Sequence, residues 1–114
     1  MSMDDLAKEL ERLGYSVNLG FRQNGVLVID EFRIEAGAYA GKVVDIGIPS
    51  QDFPFTLPAG IHVHPMLAPI GQNGISQSPL GNDWQYWSRR LADWGGGRTA
   101  RHVISYVNKV FIDG

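Results

Sequence analysis

The spacing of apolar residues changes period twice along this chain, and that change constrains the fold more than any other feature. Near the N-terminus Leu6, Leu10 and Leu13 recur on one face of a helix, and Ser2 followed three residues later by Asp5 has the spacing of a capping box. The pattern predicts a helix ending at about Gly14. From Tyr15 the period becomes two. Val17, Leu19 and Phe21 alternate with Ser16, Asn18 and Gly20, and Asn24-Gly25 offers a type I′ turn into Val26–Ile29. Val44, Ile46 and Ile48, set against Val43, Asp45 and Gly47, write a third strand that Pro49 interrupts. Ile61 and Val63 define a short fourth strand with His62 and His64 on its opposite side. The helical period returns after Thr99, a candidate N-cap, with Val103, Ile104, Val107, Val110 and Phe111 on one stripe. The expected class is α+β: an N-terminal helix, a four-stranded antiparallel meander, a long loop and C-terminal helices, the first of them from Asp83 through Leu91.

The 114 residues are expected to form a single domain, 1–114, since a second core would need about 50 residues more. The longest aliphatic run, Val26–Ile29, is far short of the roughly 20 residues that span a bilayer, and Met1 to Leu13 carries no secretory pattern. A cytoplasmic protein without a membrane partner is the expectation. Charge is uneven: residues 1–83 hold five bases and ten acids, residues 84–114 five bases and two acids. A net charge of −2 argues against nucleic acid, whose binding rests on phosphate neutralisation. The absence of cysteine excludes disulfides, thiolate metal sites and a thiol nucleophile.

Two segments lack a clean period. Between Pro49 and Pro58, Pro54, Phe53 and Phe55 predict an ordered, extended connection. Residues 66–83 are rich in Gly, Asn, Ser and Pro, and a loop of that length in a small domain is where function is expected. His62 and His64, at i and i+2, could turn two imidazoles toward one metal, but a third ligand would have to come from His102 or Asp83; no metal is assigned. A hydroxyl nucleophile is available in Ser76 or Ser78, with His64 or His102 as base and Asp83 as the carboxylate that orients it. Gly71, Gly74 and Gly81 fit neither a phosphate-binding loop nor a dinucleotide fingerprint, so no cofactor is expected. Trp84, Trp87, Trp94 and Tyr86 beside Arg89 and Arg90 read as helix packing or as an aromatic and arginine interface.

The run Tyr39-Ala40-Gly41, Ile48-Pro49, Asp52-Phe53-Pro54-Phe55, Leu57-Pro58 and His64-Pro65, taken in that order, resembles the ubiquitin-conjugating enzyme family. Asn73-Gly74-Ile75-Ser76 follows where that family has its cysteine motif, and Trp84 lies eight residues beyond Ser76, the family's interval from cysteine to tryptophan. The likeness runs from Tyr39 to about Phe111 and is nearest to the divergent bacterial members of the superfamily.

The departures are specific. Serine stands at the thiol position, Met66 replaces the asparagine that follows His-Pro, and the first helix is acidic where the family's is commonly basic. The resemblance implies a UBC-like fold and partners that include a ubiquitin-like protein, an activating enzyme and an isopeptidase. Two functional readings follow from it. In one, Ser76, or else Ser78, carries the modifier as an oxyester, activated by His64 or His102 with Asp83, and the chain is a transferase. In the other, the chain is a non-catalytic binding module that presents Phe53, Pro54, Phe55, Trp84, Trp87, Arg89 and Arg90 to a ubiquitin-like protein or partner enzyme.

Overall fold

The computed structural model describes residues 2–53, 58–90 and 98–113. The chain begins with α1 (Met3–Arg12), closed at its start by the expected capping box: Ser2 Oγ accepts the Asp5 N–H at 3.2 Å and Asp5 accepts the Ser2 N–H at 3.0 Å. These hydrogen bonds hold the Asp5 carboxyl below its usual range. Met3, Leu6, Ala7 and Leu10 form the buried face, and Gly14, at φ 98°, turns the chain away.

β1 (Ser16–Asn18) is shorter than the alternation implied. The Asn18 side chain accepts the Gly20 N–H at 2.8 Å, a local bond that competes with the sheet ladder and ends the strand. The expected two-residue turn is instead a 3-10 turn, Arg22–Asn24, with Gly25 in the left-handed conformation at φ 71°. Arg22 also pairs with Asp4, tying this turn to α1.

β2 (Val26–Arg33), β3 (Val43–Pro49) and β4 (Gly60–His64) follow, each antiparallel to its predecessor. Between Ile29 and Phe32 the β2 register slips by one residue, with Glu31 at φ 55°. The 31 N–H that this bulge turns aside is taken by Asp45 Oδ1 at 3.0 Å.

Among the described residues the sheet has six strands rather than four. β5 (Ile75–Gln77) and β6 (Gln85–Ser88) form a further antiparallel hairpin, and β6 docks on β4, giving the order β1-β2-β3-β4-β6-β5. The helix expected from Asp83 is therefore a strand across residues 85–88. Gln85 and Trp87 face one side, Tyr86 and Ser88 the other, a period of two that aromatic residues favour in sheets. Residues 91–97, including the end of that expected helix and Trp94, lie outside the described residues, as do Pro54 and Phe55.

Both α1 and α2 (Ala100–Asp113) pack on one side of the sheet. Leu6 and Leu10 of α1 and Val103, Val107 and Phe111 of α2 meet Ile29, Ile46, Ile48, Ile61, Val63 and Trp87. Trp87, fully buried, stacks edge-on with Tyr39 and Phe111 at ring-centroid distances of 5.8 and 5.4 Å.

Among the described residues a polar amide enters this core. Gln85 is fully buried, and its amide oxygen accepts the N–H groups of Leu67 (2.9 Å) and Ala68 (3.3 Å) and the Trp87 indole N–H (3.3 Å), while its amide nitrogen donates to the Ala68 carbonyl. The glutamine thus supplies the backbone partners that the segment after β4 lacks in the ladder. Gln85→Leu keeps the volume but leaves these donors unmatched; it is expected to lower stability by about 1–3 kcal/mol in urea unfolding and to abolish hydrogen-exchange protection at Leu67 first.

Candidate functional site

The face of the sheet away from the helices carries the polar residues. The register puts Val28, Gly47, His62, Tyr86 and Ser76 in one row across β2, β3, β4, β6 and β5. The neighbouring row holds Asp45 and His64, with Trp84 continuing it beyond the end of β6. This parity is inherited from the core, since Ile61 and Val63 can point inward only if His62 and His64 point outward.

After β5 the chain folds back over this face as a strap, residues 78–83. Leu80 packs with Val26, Val28 and Trp84, so the strap reaches across β6, β4 and β3 as far as β2. Gly47 makes the space for it: a Cβ there would lie 3.3 Å from Leu80 Cδ1 and 2.9 Å from the His62 Cβ. At the neck of the strap Gln77 donates its side-chain amide to the Gly81 carbonyl at 2.6 Å.

His62 and His64 hold the two ends. The Nδ1 atom of His62 shares a 2.8 Å hydrogen bond with Ser78 Oγ, which also accepts the Leu80 N–H at 3.1 Å. Both residues are buried, His62 against the Tyr86 ring at 4.8 Å. Burial pushes the His62 imidazole down to about 4, so it is neutral at pH 7. His64 is in the opposite situation. Its Nδ1 lies 3.0 Å from Asp45 Oδ2 and its Nε2 2.8 Å from Asp83 Oδ2, and its ring stacks 4.9 Å from Trp84. Two carboxylates can both be satisfied only by an imidazole with a proton on each nitrogen. Partial burial works against that charge, but the bonds to Asp83 and Asp45 and their charges outweigh it, and the His64 pKa is raised. Asp83 is lowered in turn by its bond to His64.

The residues expected to act together are dispersed. Ser76 is exposed on β5 opposite Tyr86, and its hydroxyl has no hydrogen-bond partner among the described residues. His62, the nearest histidine in its row, is two strand spacings away, roughly 10 Å, with Tyr86 between. His102 bonds the Thr99 hydroxyl at 2.7 Å, on the helix that covers the other side of the sheet. His64 and Asp83 do pair, but with each other and Asp45 rather than with either serine. Ser78 has a histidine, His62, which the sequence had offered only as a metal ligand, and its hydroxyl is buried in the strap turn.

Of the expected partner-binding residues, Phe53 and Trp87 belong to the core and Trp84 lies under the strap, so burial removes all three from the surface. Arg89 is half-buried, sits 5.5 Å over the Trp87 ring and donates to the Asn73 and Ser88 carbonyls; Arg90 is exposed. Among the described residues no group of three or more His, Asp or Glu side chains could hold a metal. Sequence reasoning missed Asp45 and Gln85, and it had Tyr86 only as part of the aromatic cluster, not as the ring against His62. The signal for Asp45 was present: the β3 alternation puts it on the side opposite Val44, Ile46 and Ile48, where antiparallel pairing meets His64.

The two histidines tilt stability against pH in opposite directions. Below 6.5, the usual histidine value, the unfolded chain takes up a proton that buried His62 refuses, so its contribution falls as pH drops toward 4 and then levels off. His64 contributes most below 6.5 and loses that contribution as pH rises through its raised pKa. His62 dominates on the acid side: urea unfolding is expected to show a loss on the order of 2 kcal/mol attributable to it between pH 7 and 4, and His62→Gln is expected to flatten that slope. No protein-family model, characterised protein or solved structure matches the chain, so the functional argument rests on these side chains.

Proposed function

We propose that the chain is a ubiquitin-conjugating-enzyme-like domain of a bacterial ubiquitin-like modification pathway that acts by binding, holding a ubiquitin-like protein or its partner enzyme without a covalent bond. The family reading is supported by the ordered motifs from Tyr39 to His64-Pro65 and by an N-terminal helix, strands β1 to β4 side by side in chain order, and a C-terminal helix. The non-covalent reading is carried by one observation. Ser76, at the position of the family's thiol, is an exposed hydroxyl with no base beside it among the described residues. An alcohol must be deprotonated as it attacks, and with no base within about 3 Å this arrangement offers no group to take that proton.

Oxyester carriage has one observation in its favour, the 2.8 Å bond between Ser78 and His62. That hydroxyl is buried, however, and already accepts the Leu80 N–H, which suits a turn-forming serine better than a nucleophile. A binding surface is available at one end of the open face, where Asn24, Pro49, Gln51, Asp52, Pro58 and Tyr86 line a cleft of about 310 Å³.

The test is to incubate the protein with a panel of bacterial ubiquitin-like proteins, an activating enzyme and ATP, following binding by calorimetry and adducts by intact-mass spectrometry. The expected result is a complex with unchanged chain mass, and an affinity that Ser76→Ala alters by less than about twofold, as for an exposed side chain outside any hot spot. An adduct that disappears in Ser76→Ala or Ser78→Ala would establish the carrier instead, and no complex with any member of the panel would remove the pathway assignment.

A further inference from the structure

We propose that residues 78–83 are a pH-responsive strap, latched on the open face of the sheet while His64 carries a proton between Asp45 and Asp83, and loosened when that proton leaves. The inference stands apart from what the domain binds, because it depends only on how the strap is attached.

The attachment is sparse. Leu80 is the strap's apolar anchor, seated over Gly47 beside Val26, Val28 and Trp84. Pro79, Asn82 and Asp83 are exposed, so the segment has little buried surface to hold it, the usual signature of a part that opens locally. Its polar attachments to β4 are Ser78 to His62 and Asp83 to His64, and at its neck Gln77 donates to the Gly81 carbonyl.

The second attachment is the one that a proton controls, because His64 bridges two carboxylates. The charged groups facing His64 are Asp45 from β3 and Asp83 from the strap, while Trp84 covers the ring. Asp30 and Glu31 of the β2 bulge lie behind Asp45: the Glu31 N–H bonds Asp45, and the Asp30 carboxyl, raised first by burial, is raised further by the charge of Asp45. The neighbourhood is acidic, and the imidazolium is its counter-charge. A neutral imidazole has one N–H and can satisfy only one of the two carboxylates.

The outcome of that competition follows from what else each carboxylate has. Asp45 is half-buried and keeps the Glu31 N–H as a second partner, whereas the Asp83 side chain is 69% exposed and can turn to water. The strap end is therefore the side that lets go. Once Asp83 leaves, Leu80 keeps its own packing, the Ser78 turn and the Gln77–Gly81 bond at the neck, and its lifting uncovers Val26, Val28 and the His62–Ser78 pair.

His62 stays neutral from pH 5.5 to 8.5, so this range isolates His64. The test is amide hydrogen exchange by NMR on the full chain at pH 5.5 and 8.5, with each rate corrected for its intrinsic pH dependence. The Leu80 N–H, bonded to Ser78 Oγ, and the Trp84 N–H, bonded to the Gly81 carbonyl, report on the strap. Their protection is expected to fall about twofold to fivefold at the higher pH, the size of an exposed ion pair, while amides of β2 and β3 keep theirs. In Asp83→Asn the Leu80 and Trp84 amides are expected to show the lower protection at both pH values. Equal protection at the two pH values in the unaltered chain, an equal fall throughout the sheet, or a pH dependence that survives in Asp83→Asn would each overturn the proposal.

Discussion

On a strand, successive side chains must leave on opposite sides of the sheet, and this single rule sets the character of both faces. β4 reads Gly60-Ile61-His62-Val63-His64; once Ile61 and Val63 are committed to the core under α1 and α2, the two histidines have no other place than the open face. The same parity carries Asp45 out of β3 and Tyr86 out of β6 to meet them. The core and the polar face are one decision made by the hydrophobic pattern. Shifting the β4 register by a single residue would bury two imidazoles and expose two aliphatic side chains.

The elements with long, regular apolar spacing were legible. Leu6 and Leu10 fix α1, Val103, Val107 and Phe111 fix α2, and Val44, Ile46 and Ile48 fix β3, because each pattern repeats often enough to exclude the other period. β5 escaped notice because three residues, Ile75–Gln77, cannot display an alternation inside a stretch dominated by Gly, Asn and Ser. β6 was misread because Trp84 and Trp87 stand three apart, a helical spacing, although Gln85 and Trp87 alternate with Tyr86 and Ser88. Its identity depends on β4 being ready to pair with it, which is a tertiary fact. The turn before β2 failed for a local reason, the capture of the Gly20 N–H by Asn18, which ends β1 before the hairpin geometry applies.

The candidate site was legible residue by residue and illegible as an arrangement. Ser78, His64 and Asp83 were all named in advance, yet which serine meets which histidine depends on the strap folding back from β5 across β6 and β4, and no spacing in the chain encodes that return. What the sequence does contain is the vacancy that permits it. Gly47 stands in the middle of a strand, where glycine weakens the ladder and packs nothing, and its missing side chain is the seat of Leu80. A glycine inside a clean β alternation signals close approach by another part of the chain.

His62 and His64 are two residues apart on the same strand face, yet burial holds one neutral while two carboxylates favour the charged form of the other. Their own strand does not distinguish them; their neighbours do. The partners of His62 are a hydroxyl, a phenol ring and the bare backbone of Gly47, none of which compensates a buried positive charge. His64 has a carboxylate at each nitrogen and is only partly covered. A neutral histidine in a snug polar pocket is a rigid fastening, because changing its state costs burial of a charge. A charged histidine shared between an anchored and an exposed carboxylate is a conditional one, because its proton is all that reconciles them. Placing one of each along a single short segment makes the Ser78 end of the strap the fixed end and the Asp83 end the free one.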